Sequence, residues 1–196
     1  MSRTKEFNKD EVLEQAMNVF WKQGYANTSM QELVNAMQIN RGSIYATFGD
    51  KHALFVYVLD FYHRYLEKEM FEATKQSNDL GSQLNDIFNV FLKINDKFQI
   101  KGCLIVNSAT ELGQIDSEIK KIIEDYMHQE LNFILNILDR GRSELCKNTQ
   151  LESIAKRFQI ALIGMRVSAS IGASESELKS IAEDVIETLP WKRTEV

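Results

Sequence analysis

Apolar residues recur every three to four positions through almost the whole of this chain, the spacing that lines one face of an α-helix. Val12, Leu13, Ala16, Met17, Phe20 and Trp21 predict a first helix, started by Asn8 with Glu11 and stopped after Gln23 by Gly24. Met30, Leu33, Val34 and Met37 predict a second, short one. Thr28 is placed to cap it, with Gln31 three residues on completing a Thr-x-x-Gln box. Gln38-Ile39 forms the turn, and Asn40 caps a third helix, Arg41 to Thr47, that Phe48 closes apolarly. Gly49-Asp50 breaks the chain and caps a long helix from Lys51 to about Ala73. Its broad apolar face is Leu54, Phe55, Val58, Phe61, Tyr62, Tyr65, Leu66 and Met70.

The second half reads the same way. A polar loop at 76–82 precedes a helix carrying Leu84, Ile87, Phe88, Phe91, Ile94 and Phe98. A break at 99–102 leads into a short helix from Cys103 to Leu112, ended by Gly113. Asp116 caps the next, which runs through Ile119, Ile123, Tyr126, Phe133, Ile137 and Leu138 to Gly141. Capping boxes at Thr149-x-x-Glu152 and Ser174-x-x-Glu177 start the last two helices. The first of these is apolar almost all round, with Leu151, Ile154, Ala155, Phe158, Leu162 and Met165 on one face and Ile160, Ile163, Val167 and Ile171 on another. Such a helix must be covered on two sides, and a second copy of the chain is the natural cover. Gly164 and Ser168 allow close approach there, and Phe158, Leu162, Ile181 and Val185 are assigned to the same interface. No segment has the alternation of a strand, so the fold class is all-α.

The chemistry concentrates between residues 28 and 51. Arg41, Gly42, Ser43, Tyr45 and Thr47 open the third helix with groups that reach phosphates and base edges. Thr28, Ser29, Asn40 and Lys51 flank them. Gly24-Tyr25, Thr28-Ser29-Met30, Arg41-Gly42-Ser43-Ile44-Tyr45 and Phe48-Gly49-Asp50-Lys51-x-x-Leu54 resemble, in order and spacing, the DNA-binding signature of the tetracycline-repressor (TetR) family. One departure is Gln38, where the family usually has glycine; a left-handed backbone or a shifted turn is expected there. The resemblance implies a helix-turn-helix head, residues 1–50, on a helical effector-binding and dimerisation body, residues 51–196. It also implies dimerisation through the last two helices as a four-helix bundle, and repression relieved by a small molecule. Because the long helix joins head to body without a flexible linker, its rotation should carry the recognition helix as a rigid body.

Charge adds little. The chain has 23 Lys and Arg against 28 Asp and Glu, a net charge of −5. Residues 1–51 balance Arg3, Lys5, Lys9, Lys22, Arg41 and Lys51 against Glu6, Asp10, Glu11, Glu14, Glu32 and Asp50. DNA affinity must therefore come from local placement of Arg41, Lys51 and the polar N-terminal arm. The chain has two cysteines, too few for a disulfide framework. No apolar run approaches the roughly 18 residues of a membrane span, and the N-terminus has no signal-peptide pattern, so a cytoplasmic location is expected.

No catalytic or metal-binding arrangement emerges around His52, His63 and His128, and no cofactor motif is present; a non-enzyme without cofactor or metal is expected. The aromatic residues of the body suit core packing, and together they suit an apolar pocket with a few polar anchors. Tyr62, Phe88, Phe91, Cys103, Asn107, Thr110 and Tyr126 are the pocket residues assigned on this basis. Cys103 has a second reading: a thiol at a helix start beside Lys101 has the setting of a reactive thiolate, and hence of an electrophile or redox sensor. Against this stands simple burial as a small hydrophobe. The reading is thus a dimeric repressor of an inverted-repeat DNA operator with an unidentified small-molecule effector. The alternatives are a Cys103-based sensor and, in another class, a helical binding module without DNA function.

Overall fold

The computed structural model describes residues 7–192; the polar arm at 1–6 and residues 193–196 lie outside the described residues. Among the described residues the chain forms nine α-helices and no strand: α1 Lys9–Gln23, α2 Met30–Met37, α3 Arg41–Phe48, α4 Lys51–Thr74, α5 Leu80–Phe98, α6 Leu104–Leu112, α7 Ser117–Arg140, α8 Leu151–Ser170 and α9 Glu175–Glu187. A 3-10 turn, Arg142–Glu144, follows α7, and one isolated antiparallel bridge joins Leu145 to Trp191.

Most helix starts agree with their capping residues. The side chains of Asn8, Asn40, Asp50 and Asp116 accept from Asp10, Ser43, Ala53 and Ile119 N–H groups, and Ser174 with Glu177 forms a complete capping box. Three expectations need correction. The α2 cap is Ser29, not Thr28: Ser29 and Glu32 make the reciprocal box, with the Ser29 N–H donating to Glu32 Oε2 at 2.8 Å. Thr28 is buried, and its hydroxyl donates back to the Gly24 carbonyl at 2.6 Å. The Thr149-Glu152 box does not form. Gln150 is the N-cap of α8 without a side-chain bond, and Thr149 Oγ1 is buried without a partner. Finally, α5 starts at Leu80, inside the expected loop, because Asp79 caps it and Glu144 accepts the Leu80 N–H at 3.0 Å.

Gln38 ends α2 with φ 52°, the left-handed conformation expected of a non-glycine at that turn. Gln99 does the same after α5, with φ 53°. A non-glycine residue held there costs on the order of 1–2 kcal/mol, which the packing of the flanking helices offsets.

The core runs without interruption from head to body. Leu13, Met17, Phe20, Leu33, Ile44 and Phe48 of α1–α3 join Leu54, Phe55 and Tyr62 of α4 in one buried cluster. Trp21 of α1 meets Tyr62 edge-on, ring centroids 5.0 Å apart, and lies 5.9 Å from Phe98 of α5. The three-helix head is thus fastened to α4 through apolar packing. Below it, α5 packs on α4 and α9, α7 on α6 and α8, and α8 on α9.

Candidate nucleic-acid interface and effector cavity

The helix α3 buries only Ile44 and Phe48, and turns its other side chains outward. Arg41, Gly42, Tyr45 and Thr47 are exposed and Ser43 is half-buried. An Arg41 Nη2 hydrogen bond to Tyr45 Oη, 3.4 Å, lays the guanidinium along the phenol ring. Lys51 stands at the other end of the motif with Nζ 4.4 Å above the Tyr25 ring, a cation–π seat that holds the ammonium at the surface. Tyr25 is wedged against Phe20 and Phe55, and burial, with Asp50 as the next cause, raises its phenol pKa. Of the flanking residues, Ser29 and Asn40 are exposed, with their side-chain oxygens engaged in capping. Thr28 is withdrawn from the surface and serves the corner between α1 and α2.

That corner is gripped from the body. Both oxygens of Glu111, near the end of α6, accept backbone N–H groups of the head: Tyr25 at 2.9 Å and Ala26 at 2.7 Å. Gly24, at φ 80°, lies so near that a Cβ there would come within 2.9 Å of Glu111 Oε2. Beside it, His52 Nε2 lies 2.8 Å from Asp116 Oδ2, so the first turn of α4 is tied to the cap of α7. The Asp116 pKa is lowered, first by the Ile119 N–H it accepts and further by His52. Sequence reasoning gave Asp116 its capping role but passed over Glu111 and the tie between His52 and Asp116. No spacing connects them; only the fold brings residues 25 and 111 together.

The body holds a cavity of about 430 Å³ between α4, α6, α7 and α8. Its apolar wall is Leu66, Met70, Phe71, Ile105, Met127 and Phe133, and His63 stacks on Tyr126 with ring centroids 3.9 Å apart. Burial pushes the His63 pKa down, and burial, with Asp60 as the next cause, pushes the Tyr126 phenol up to about 12. At its polar end lies the buried pair Arg166–Glu130, whose guanidinium stacks 3.7 Å from the Phe91 ring centroid. Burial acts most strongly, to lower the Arg166 pKa, but Glu130, with Cys103 and Tyr62 adding to it, carries the net shift upward, so that the arginine stays charged.

Of the residues assigned to a pocket from the sequence, only Tyr126 lines this cavity. Phe88 is buried against Phe158, Phe91 lies behind Arg166, and Thr110 is exposed with its hydroxyl bonded to the Asn107 carbonyl. Asn107 is half-buried beside Gly102. Tyr62 and Cys103 are both fully enclosed, the phenol donating to Sγ at 3.5 Å; burial, then the neighbouring thiol, push the Tyr62 pKa well up. The aromatic periodicity that suggested a pocket had marked the core. Arg166 and Glu130 were missed, although Arg166, the one charged residue of the 158–171 stretch, was the available signal.

On α8 and α9 an apolar strip is left uncovered: Ile160 is 68% exposed, Val167 41%, Ile171 82% and Ile181 44%. A Cβ at Gly164 would meet nothing within 4 Å. Ser168 and Val185 are half-buried along the same strip, whereas Phe158 and Leu162 are buried within the protomer and cannot be interface residues. Among the described residues there is no cluster of potential metal ligands and no helix long and apolar enough to cross a membrane.

Known proteins agree with this geometry. Residues 12–58 match the family model described as bacterial regulatory proteins, tetR family. The chain is 29% identical to the HTH-type transcriptional repressor ComR of Escherichia coli over 96% of its own length and 91% of that protein's. It is 27% identical to the uncharacterised HTH-type regulator YezE of Bacillus subtilis, over 91% and 94%. Among solved structures it superposes with TM-score 0.86 on a cysteine mutant of the TetR family regulator CifR complexed with 26-bp double-strand operator DNA, at 23% identity over 96% of this chain and all of that one. A TetR family regulator from Cytophaga hutchinsonii gives TM-score 0.83 at 19% identity, over 96% of this chain and 100% of that one. With its exposed α3, its capped helix-turn-helix and an all-helical body behind them, this chain carries a tetR-family DNA-binding domain at residues 12–58 and is similar along its length to TetR-type transcriptional regulators.

Proposed function

We propose that the protein is a cytoplasmic homodimeric repressor that binds an inverted-repeat operator and leaves it when a small molecule fills the cavity bounded by Arg166 and Tyr126. In this reading residues 1–50 are the DNA-binding head and residues 51–196 the effector and dimer body. The exposed polar face of α3 carries the proposal: Arg41, Ser43 and Thr47 lie nearest the bases, while Tyr45 and Lys51 take phosphates. The uncovered strip from Ile160 to Ile171, with Gly164, Ser168, Ile181 and Val185, is covered by the same strip of a second copy. Two-fold pairing sets two α3 helices against half-sites about 34–36 Å apart or a multiple of it. ComR is named a repressor and the CifR complex holds operator DNA, and both support the assignment. The full enclosure of Cys103 favours a reversible ligand over thiol chemistry as the signal.

Selection from a randomised duplex library, followed by anisotropy titration of the enriched sequence, tests the reading. An inverted repeat should emerge. Lys51→Ala should weaken binding to all sequences and reduce the salt slope by about one. Arg41→Ala should relax preference at one position per half-site. Failure to enrich any sequence would leave the helical binding module as the remaining class.

A further inference from the structure

The polar end of the cavity contains an ion pair whose hydrogen-bonding capacity is lopsided. Each Glu130 oxygen has a donor: Oε1 accepts from Arg166 Nη2, and Oε2 accepts from Gln159 Nε2 at 3.2 Å. Gln159 is itself held by the Met127 carbonyl at 2.7 Å. Among the described residues Arg166, 3% exposed, has a partner only on Nη2, and its Nε is enclosed without one. A guanidinium carries five N–H donors in a plane, so Arg166 holds donors that no group among the described residues takes. Its charge, however, is already cancelled by Glu130. Phe91 covers one face of the guanidinium and prevents it from swinging away.

We infer that the cavity selects an uncharged, ring-bearing compound with a carbonyl-type oxygen, the oxygen taking the N–H groups of Arg166 that Glu130 leaves free and the ring lying among Tyr126, Phe133, Phe71 and the methionines. This names the ligand class of the effector proposed above and rests on that reading. A second carboxylate would be set beside Glu130 in a water-poor site, where like charges repel strongly. A hydrocarbon would leave the guanidinium donors as they are and gain nothing from them. His63 adds no cationic partner for an anion at this end, because its burial disfavours the protonated ring, and the other cations of the lining, Arg64 and Lys68, are exposed at the rim, where Arg64 pairs with Asp60. The volume, about 430 Å³, is of the size that holds a small organic molecule. Met70 and Met127 can adapt to its outline.

Three probes of matched shape separate the possibilities: methyl naphthyl ketone, naphthoate and ethylnaphthalene, each titrated calorimetrically into the full-length protein without DNA. The ketone should bind at least about tenfold more tightly than either of the others. Arg166→Met combined with Glu130→Gln, which removes the pair without stranding a buried charge, should bring ketone and hydrocarbon to equal affinity. If that variant does not fold, Arg166→Lys, which keeps the charge and loses the planar fork, should reduce the ketone preference. Tightest binding of naphthoate, equal binding of ketone and hydrocarbon, or no binding of the ketone would overturn the inference. Ketone preference without any loss of operator affinity supports the ligand class and overturns the effector reading. Operator release by all three probes alike supports the effector reading and overturns the ligand class.

Discussion

Glu111 adds a polar clamp to the apolar packing that joins the first three helices to the body, and its removal has a calculable effect. Its carboxylate accepts the Tyr25 and Ala26 N–H groups at 2.9 and 2.7 Å. Hydrogen bonds from an N–H to a charged acceptor contribute about 1.5–3 kcal/mol each when shielded. The Ala26 end is exposed and the Tyr25 end half-buried, so water replaces much of what is lost. Glu111→Ala should then cost about 1–3 kcal/mol for the pair, and Glu111→Gln, which keeps one carbonyl acceptor, about half of that. Urea unfolding reads the total. Amide exchange reads the place: the Tyr25 and Ala26 N–H groups should exchange faster by about tenfold for each 1.4 kcal/mol lost, with the α5–α9 interface unchanged. Because α6 also lines the cavity through Ile105, the same substitution should weaken the effect of a bound ligand on operator affinity. If both amides keep wild-type protection in Glu111→Ala, the clamp does not exist in solution and the reasoning fails. Gly24→Ala is a second route to the same contact, since it strains a φ of 80° and displaces Glu111.

Other expectations follow from the same geometry. Val167→Arg or Gly164→Arg should convert a dimer into monomers by light scattering and abolish operator binding; a dimer persisting at micromolar concentration would contradict the proposed interface. His63 is buried with a lowered pKa, so the unfolded chain takes up a proton near pH 6.5 that the folded chain refuses. Stability should therefore be fully present above about pH 6.5 and fall as the pH drops through that region, and His63→Phe should remove that part of the decline. Ser29→Ala should cost about 1 kcal/mol in thermal or urea unfolding through loss of the α2 capping box, whereas Gln31→Ala should cost nothing measurable.

The sequence by itself determined the helices, because each is specified by local chemistry. Apolar spacing marks the buried faces, and Asn8, Asn40, Asp50, Asp116 and Ser174 mark the starts. The surface of α3 was legible for the same reason: Arg41, Tyr45 and Thr47 belong to one short helix whose only buried residues are Ile44 and Phe48. Adjacent capping candidates were harder to tell apart. Thr28 and Ser29 are both good caps with a polar partner three residues on, and only the burial of Thr28 against Gly24 decides between them. The cavity and the head–body ties belonged wholly to the tertiary structure. Apolar periodicity reports that Tyr62, Phe88 and Phe91 face inward, but a core and a cavity wall are alike in that respect. What separates them is which neighbours fill the space, and these come from helices remote in sequence. Glu111 meets Tyr25 across 86 residues and Arg166 meets Glu130 across 36. Such pairings are not written locally: Arg166 stands out as a lone charge on an apolar helix, but nothing near it names Glu130, and a glutamate such as Glu111 suits a solvated helix until the fold brings a backbone N–H to it.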